Sequence, residues 1–139
     1  MGMTRSDLQR LAEIKFEDAV LLLQHQRYCN AYYLAGYSVE LALKACIAKQ
    51  IRKEEIPDKG LIDKLFTHDY TKLVGLAGLV AELKKAQNFD HRFQAYWGIV
   101  AEWSPDHRYA IIDSMSAQLL LDAIGDTDHG VLKWIKTHW

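Results

Sequence analysis

The sequence has little of what usually interrupts or crosslinks a chain. In 139 residues there are two prolines, Pro57 and Pro105, two cysteines and eight glycines. So few prolines leave most of the chain open to long helices. Cys29 and Cys46 are far apart and form no CxxC pair. They read as small apolar core residues of a protein kept in a reducing cytoplasm, not as a disulfide frame. Long apolar runs are also missing. The stretches 31–37 and 74–81 fall well short of the roughly 20 residues that a bilayer span requires, so no membrane association is expected. The polar start of the chain lacks the apolar core of a secretion signal. Neither sign of charge is in excess: Lys plus Arg is 17, Asp plus Glu is 18, and the net charge is −1. That balance excludes a globally basic nucleic-acid binder but leaves room for a local cationic patch. Half of the residues are hydrophobic, which excludes a disordered chain. The length fits a single domain over 1–139.

What is present is helical periodicity. Leu8, Leu11, Ala12, Phe16, Ala19, Val20 and Leu23 recur at three- and four-residue steps and predict a first helix over 6–26, capped by Ser6 or Asp7. A second helix is expected from residue 28 or 30 to 53. It is apolar almost all round, as befits a central element, and its alanines permit close approach of neighbours. Pro57 to Gly60 marks a turn. A helical turn is predicted over 61–66. Thr67 or Asp69 caps a run from Tyr70, and Leu73, Leu76, Ala77, Val80 and Leu83 carry one or two helices broken at Gly75 or Gly78. Residues 89–104 read as an ordered aromatic loop. Ser104-Pro105-Asp106 is a helix-start signal, predicting a late helix through about Ile124. A turn over 125–128 and a short helix over 131–139 close the chain. No run alternates at period two, so strands are not expected. The expected fold is all-α: an antiparallel up-and-down bundle of four main helices with one or two short extra ones.

Much chemistry is excluded by absence. There is no Walker A loop, no GxSxG elbow, no HExxH and no Glu-x-x-His pair. The six histidines are scattered. Asp126, Asp128 and His129 fit turn capping better than metal binding, since ligand number and spacing are both missing. No metal and no cofactor is expected.

The few polar residues of the second helix are the informative ones. Tyr33, Tyr37, Glu40 and Lys44 are spaced by four, three and four and share one helix face. Glu40 precedes Lys44 by one turn, the favourable order for an intrahelical pair. Two readings stand side by side. One is a solvated stripe on a largely buried helix, where such a pair adds only about 0.3–0.5 kcal/mol. The other is a groove lined by tyrosine hydroxyls, a carboxylate and an ammonium.

The string Ala31-Tyr32-Tyr33-Leu34-Ala35-Gly36-Tyr37-Ser38-Val39-Glu40-Leu41-Ala42-Leu43-Lys44-Ala45 resembles the second-helix signature of the HEPN family (higher-eukaryote and prokaryote nucleotide-binding). Thr67-His68-Asp69-Tyr70-Thr71-Lys72-Leu73 resembles that family's His-Asp helix start. Trp103-Ser104-Pro105-Asp106-His107-Arg108-Tyr109 resembles the Trp-Ser-Pro-x-x-Arg-Tyr block that opens its late helix. The three blocks come in the family's order. The resemblance implies a helical bundle, commonly a homodimer, that binds nucleotide or RNA or pairs with a nucleotidyltransferase-like antitoxin partner. Catalytic relatives carry Arg-x4-6-His, which serves a metal-independent ribonuclease: a cation stabilises the phosphorane and a histidine moves the 2′-hydroxyl proton.

This chain departs from that motif. Arg108 is the matching arginine, but the histidine positions hold Asp113, Ser114 and Met115, and no other arginine has a histidine in the window. The reading is therefore a non-catalytic HEPN-type binding module. Its candidate ligand-binding residues are Tyr33, Tyr37, Glu40, Lys44, His68, Asp69, Arg108 and Tyr109, in a groove between the second and late helices. Structural roles stand beside this: Glu40 paired with Arg108 across the bundle, Arg108-Tyr109 anchoring the late helix on Trp103, and His68-Asp69 as a cap. Two alternatives remain open. One is a ribonuclease using His68 or His107. The other is an interaction protein that dimerises through apolar helix faces and presents Trp97, Trp103, Trp134 and Trp139.

Overall fold

The computed structural model describes residues 3–51, 56 and 58–139. Helix α1 (Arg5–Gln24) begins one residue earlier than expected, because Thr4 rather than Ser6 or Asp7 is the N-cap and Asp7 completes a capping box. The turn into α2 (Tyr28–Ala48) has no glycine. Gln26 takes the left-handed conformation instead, at φ 63°. Its N–H reaches the Leu23 carbonyl and that of Arg27 reaches Leu22, a Schellman closure in which glycine is the usual residue.

Helix α2 is central, with Ala31, Ala35, Val39, Ala42, Leu43 and Ile47 fully buried. It packs on α1 on one side and on the later helices on the other. It ends at Ala48, short of the expected residue 53, which lies outside the described residues. Gln50 follows the helix end and donates its side-chain amide to the Ala77 carbonyl at 2.5 Å, tying this end to the middle of the chain. Helices α3 (Lys59–Lys64), α4 (Tyr70–Leu76) and α5 (Val80–Phe89) follow. Asp69 caps α4, and the break before α5 falls at Gly78, whose φ of 71° suits glycine.

Two expectations are corrected here. Residues 89–104 are not a loop: α6 (His91–Ala101) occupies most of them. Asp90 caps it, accepting from the N–H groups of Arg92 and Phe93, and Phe93, Trp97 and Val100 form its buried face. Five aromatic residues over 89–104 and Gly98 mask a helical spacing of four and three. The late helix, in turn, does not run from Pro105. A 3-10 turn (Pro105–Tyr109) ends in extended Ala110, and α7 (Ser114–Gly125) starts afresh from Asp113, which accepts the Ser116 N–H at 2.7 Å. The β-branched pair Ile111-Ile112 disfavours continuation, and Asp113 offers a new cap. The chain closes with α8 (Val131–Lys136).

The fold is all-helical over the described residues, in more segments than four main helices with one or two extras. The longest, α1 and α2, have 20 and 21 residues, and α7 packs on both α2 and α6. Among the described residues no helix is long and apolar enough to cross a membrane. Cys46 is buried as expected, and burial pushes its thiol up to about 11. Cys29 is exposed, contrary to the core reading, because it lies on the outer face of the first turn of α2, opposite buried Ala31; the Ile112 N–H rests on its sulfur at 3.3 Å.

Candidate functional site

Glu40 is the one charged residue buried outright among the described residues, at 0 % exposure. Both of its oxygens are held. Lys44 Nζ donates to Oε2 at 3.0 Å from the next turn of α2, and His68 Nδ1 lies 2.7 Å from Oε1. A carboxylate already accepting from an ammonium offers only acceptors, so Nδ1 carries the hydrogen, and in the neutral imidazole Nε2 is then the acceptor. The side chain of His68 is 50 % exposed, so that acceptor is presented outward. The solvated-stripe reading therefore fails at Glu40. Periodicity put Glu40 and Lys44 on one face correctly, but α4 and the segment before it cover that face.

The cover is aromatic. Tyr70 donates its hydroxyl to the Gly36 carbonyl at 2.6 Å and stacks on Trp103, with ring centroids 5.6 Å apart and planes at 16°. Burial first, then the charge of Glu40, pushes the Tyr70 hydroxyl well above its ordinary range, so it stays a neutral donor. The Trp103 indole lies directly on Gly36, where a Cβ would meet the ring at 2.1 Å. Its buried Nε1 has no hydrogen-bond partner among the described residues. Tyr33 closes the group, with its ring 6.0 Å from Trp103.

A cleft of about 460 Å³ opens beside this cover, lined by His68, Asp69, Tyr70, Trp97, Glu102, Trp103 and Ser104 among others. Its charged groups are the exposed carboxylates of Asp69 and Glu102, beside the His68 imidazole. Among the described residues no lysine or arginine lines it. It thus suits hydrogen-bond donors, such as hydroxyl or amino groups, better than a bare phosphate.

The eight candidate residues do not form one groove. Lys44 and His68 each touch Glu40, and Asp69 lines the same cleft as His68 while capping α4. Tyr33 and Tyr37 line a different groove, of about 360 Å³, between α1 and α2 with Lys15. Burial, then the charges of Glu40 and Tyr33, raise the Tyr37 hydroxyl above its ordinary value. Arg108 and Tyr109 lie apart on the 3-10 turn, both exposed, with the guanidinium 4.7 Å from its neighbour's ring centre. The expected Glu40–Arg108 pair is not formed, because the late helix that would have carried Arg108 inward does not exist there. Arg108-Tyr109 does not anchor on Trp103 either. His107 anchors the turn instead, accepting the Ser104 N–H at 3.0 Å and packing edge-on against Tyr32 at 5.1 Å.

Sequence reasoning missed Gly36, Tyr70 and Trp103 as one unit. The Gly in an Ala-rich helix was the available signal, since such a glycine marks a close approach. It also missed a second carboxylate–histidine contact, His129 Nδ1 to Asp90 Oδ2 at 2.6 Å. Asp126, expected to cap its turn, does so, accepting from the N–H groups of Asp128 and His129. Comparison of the chain with protein-family models, curated proteins and solved structures gives no match.

Proposed function

We propose that this protein is a HEPN-like, non-catalytic binding module for nucleotide or RNA, and that the nucleoside part of the ligand enters the cleft at His68. The observation that carries the reading is the fully buried Glu40, which holds His68 through Nδ1 and leaves Nε2 as an oriented acceptor at the cleft. Asp69 and Glu102 are placed to accept from ribose hydroxyls or base amino groups. Lys44 acts on the carboxylate rather than on a phosphate. The bundle is read as the four-helix HEPN arrangement built on α1, α2, α6 and α7, and as a homodimer. Exposed Tyr109, Ile111, Met115 and Leu119 on and beside α7 support a second copy covering that face.

The test is titration of the protein with a nucleoside monophosphate and with labelled single-stranded RNA. His68→Ala and Glu102→Gln are expected to weaken both. Unchanged affinity in His68→Ala overturns the cleft assignment. Tighter binding in Glu102→Gln shows that phosphate, not the nucleoside, sits there. Retention of a nucleotidyltransferase-like protein, with no nucleotide affinity, moves the reading to a protein partner.

A second reading, a metal-independent ribonuclease, is favoured by the same contact, since an imidazole held at Nδ1 by a carboxylate is oriented to take a proton at Nε2. Metal-independent RNA cleavage lost in His68→Ala supports it. RNA intact after prolonged incubation excludes it.

A further inference from the structure

Thr67 and His68 are consecutive and line different cavities. His68 faces the cleft just described, whereas Thr67 lines a larger groove of about 730 Å³ between α3 and α4, with Lys64, Phe66, Lys72 and Leu76. Consecutive Cα atoms are about 3.8 Å apart, so the two cavities are neighbours along one stretch of surface. Phe66 is 75 % exposed. Helix α3, just before it, buries no residue, so this ring does not serve the core. A solvated phenyl face flanked by lysines is the arrangement that stacks a base and meets its phosphates. Among the described residues of this lining Asp63 is the acid, against the two cations Lys64 and Lys72. The charge balance among the described residues is the opposite of that in the His68 cleft, whose lining has Asp69 and Glu102 and no lysine or arginine. The surface therefore changes sign across Thr67.

We infer that the α3–α4 groove is a second nucleobase subsite: one base stacks on Phe66 and the adjoining phosphates meet Lys64 and Lys72. The preferred ligand is then a single strand crossing Thr67, not a free mononucleotide. The inference rests on the reading of the His68 cleft as a nucleoside site. Duplexes are disfavoured, because their bases are already paired and stacked.

Fluorescence anisotropy with labelled, unstructured oligouridine, and competition by uridine monophosphate, test this on the full chain. Phe66→Ala is expected to weaken oligouridine about ten-fold and to leave the mononucleotide unaffected. Because Phe66 is exposed, that variant keeps the fold. Lys64→Ala and Lys72→Ala should each reduce the slope of log affinity against log salt by about 0.7. Oligouridine affinity unchanged in Phe66→Ala, but reduced in His68→Ala, overturns this subsite and leaves the cleft standing. Equal affinity for a duplex of the same length also overturns it. If the wild-type chain binds neither oligouridine nor the mononucleotide, the cleft reading and this inference fail together.

Discussion

Among the described residues the same contact occurs twice. In each case a histidine Nδ1 rests on a carboxylate: His68 on Glu40 at 2.7 Å, and His129 on Asp90 at 2.6 Å. The distances are alike and the settings are not. Glu40 is inaccessible, shares its charge with Lys44 and lies close to Tyr70, which stacks on Trp103. Asp90 keeps a quarter of its side-chain surface in water and spends its other oxygen on the first N–H groups of α6. The second contact pins the turn before α8 to the start of α6, and structure accounts for it. The first places a charge where structure alone would prefer an apolar side chain. Distance does not separate a functional pair from a structural one; burial of the carboxylate and what its partners leave free do.

The largest expected effect breaks the first contact from behind. Lys44→Met leaves Glu40 buried with His68 alone, and losing one partner of a buried pair costs about 3 kcal/mol. Urea denaturation measures it. Glu40→Leu combined with Lys44→Met should recover most of that loss, since apolar residues of similar volume replace buried pairs at little cost. If the double variant is stable but binds no ligand, stability and function have been separated at this site.

A smaller effect is expected from opening the cover. Gly36→Ala drives a Cβ into the Trp103 indole, and overpacking of this kind costs about 1–3 kcal/mol. The ring and the Tyr70 stacked on it must move, which lets water reach Glu40 and makes this site resemble the one at Asp90. A red shift of tryptophan emission in the folded variant is the expected signature. Unchanged emission and stability would show that the aromatic cover is not what keeps Glu40 dry.

These two variants also mark how far the sequence could be read. The Glu40–Lys44 spacing and the caps at Asp69 and Asp126 are local, and local rules found them. The burial of Glu40 is not local: periodicity assigns a face but not what packs on it, and the cover comes from Tyr70 and Trp103, far along the chain. The displacement of Arg108, by contrast, has a local cause. A proline start signal at Ser104-Pro105 was genuine, but Ile111-Ile112 and the fresh cap at Asp113 ended the helix after one turn. The aromatic helix α6 was hidden because Phe93, Trp97 and Val100 were read as composition and not as spacing.

The smallest expected effect belongs to the second contact. His129→Ala removes the hydrogen bond that chiefly holds the Asp90 carboxyl below its usual range, while the Phe93 and Arg92 N–H groups keep contributing. A carboxyl whose folded value is depressed adds stability above its unfolded value of about 3.9 and loses it as the pH falls through the folded value. The wild type should therefore be more stable than His129→Ala at neutral pH, by less than the loss in Lys44→Met. That difference should shrink as the pH falls below about 4. Denaturation midpoints measured from neutral to acidic pH show the trend directly. Ligand affinity should stay unchanged in His129→Ala, in contrast to His68→Ala. If both histidine variants lose binding equally, the two contacts are not functionally distinct and burial of the carboxylate is the wrong criterion.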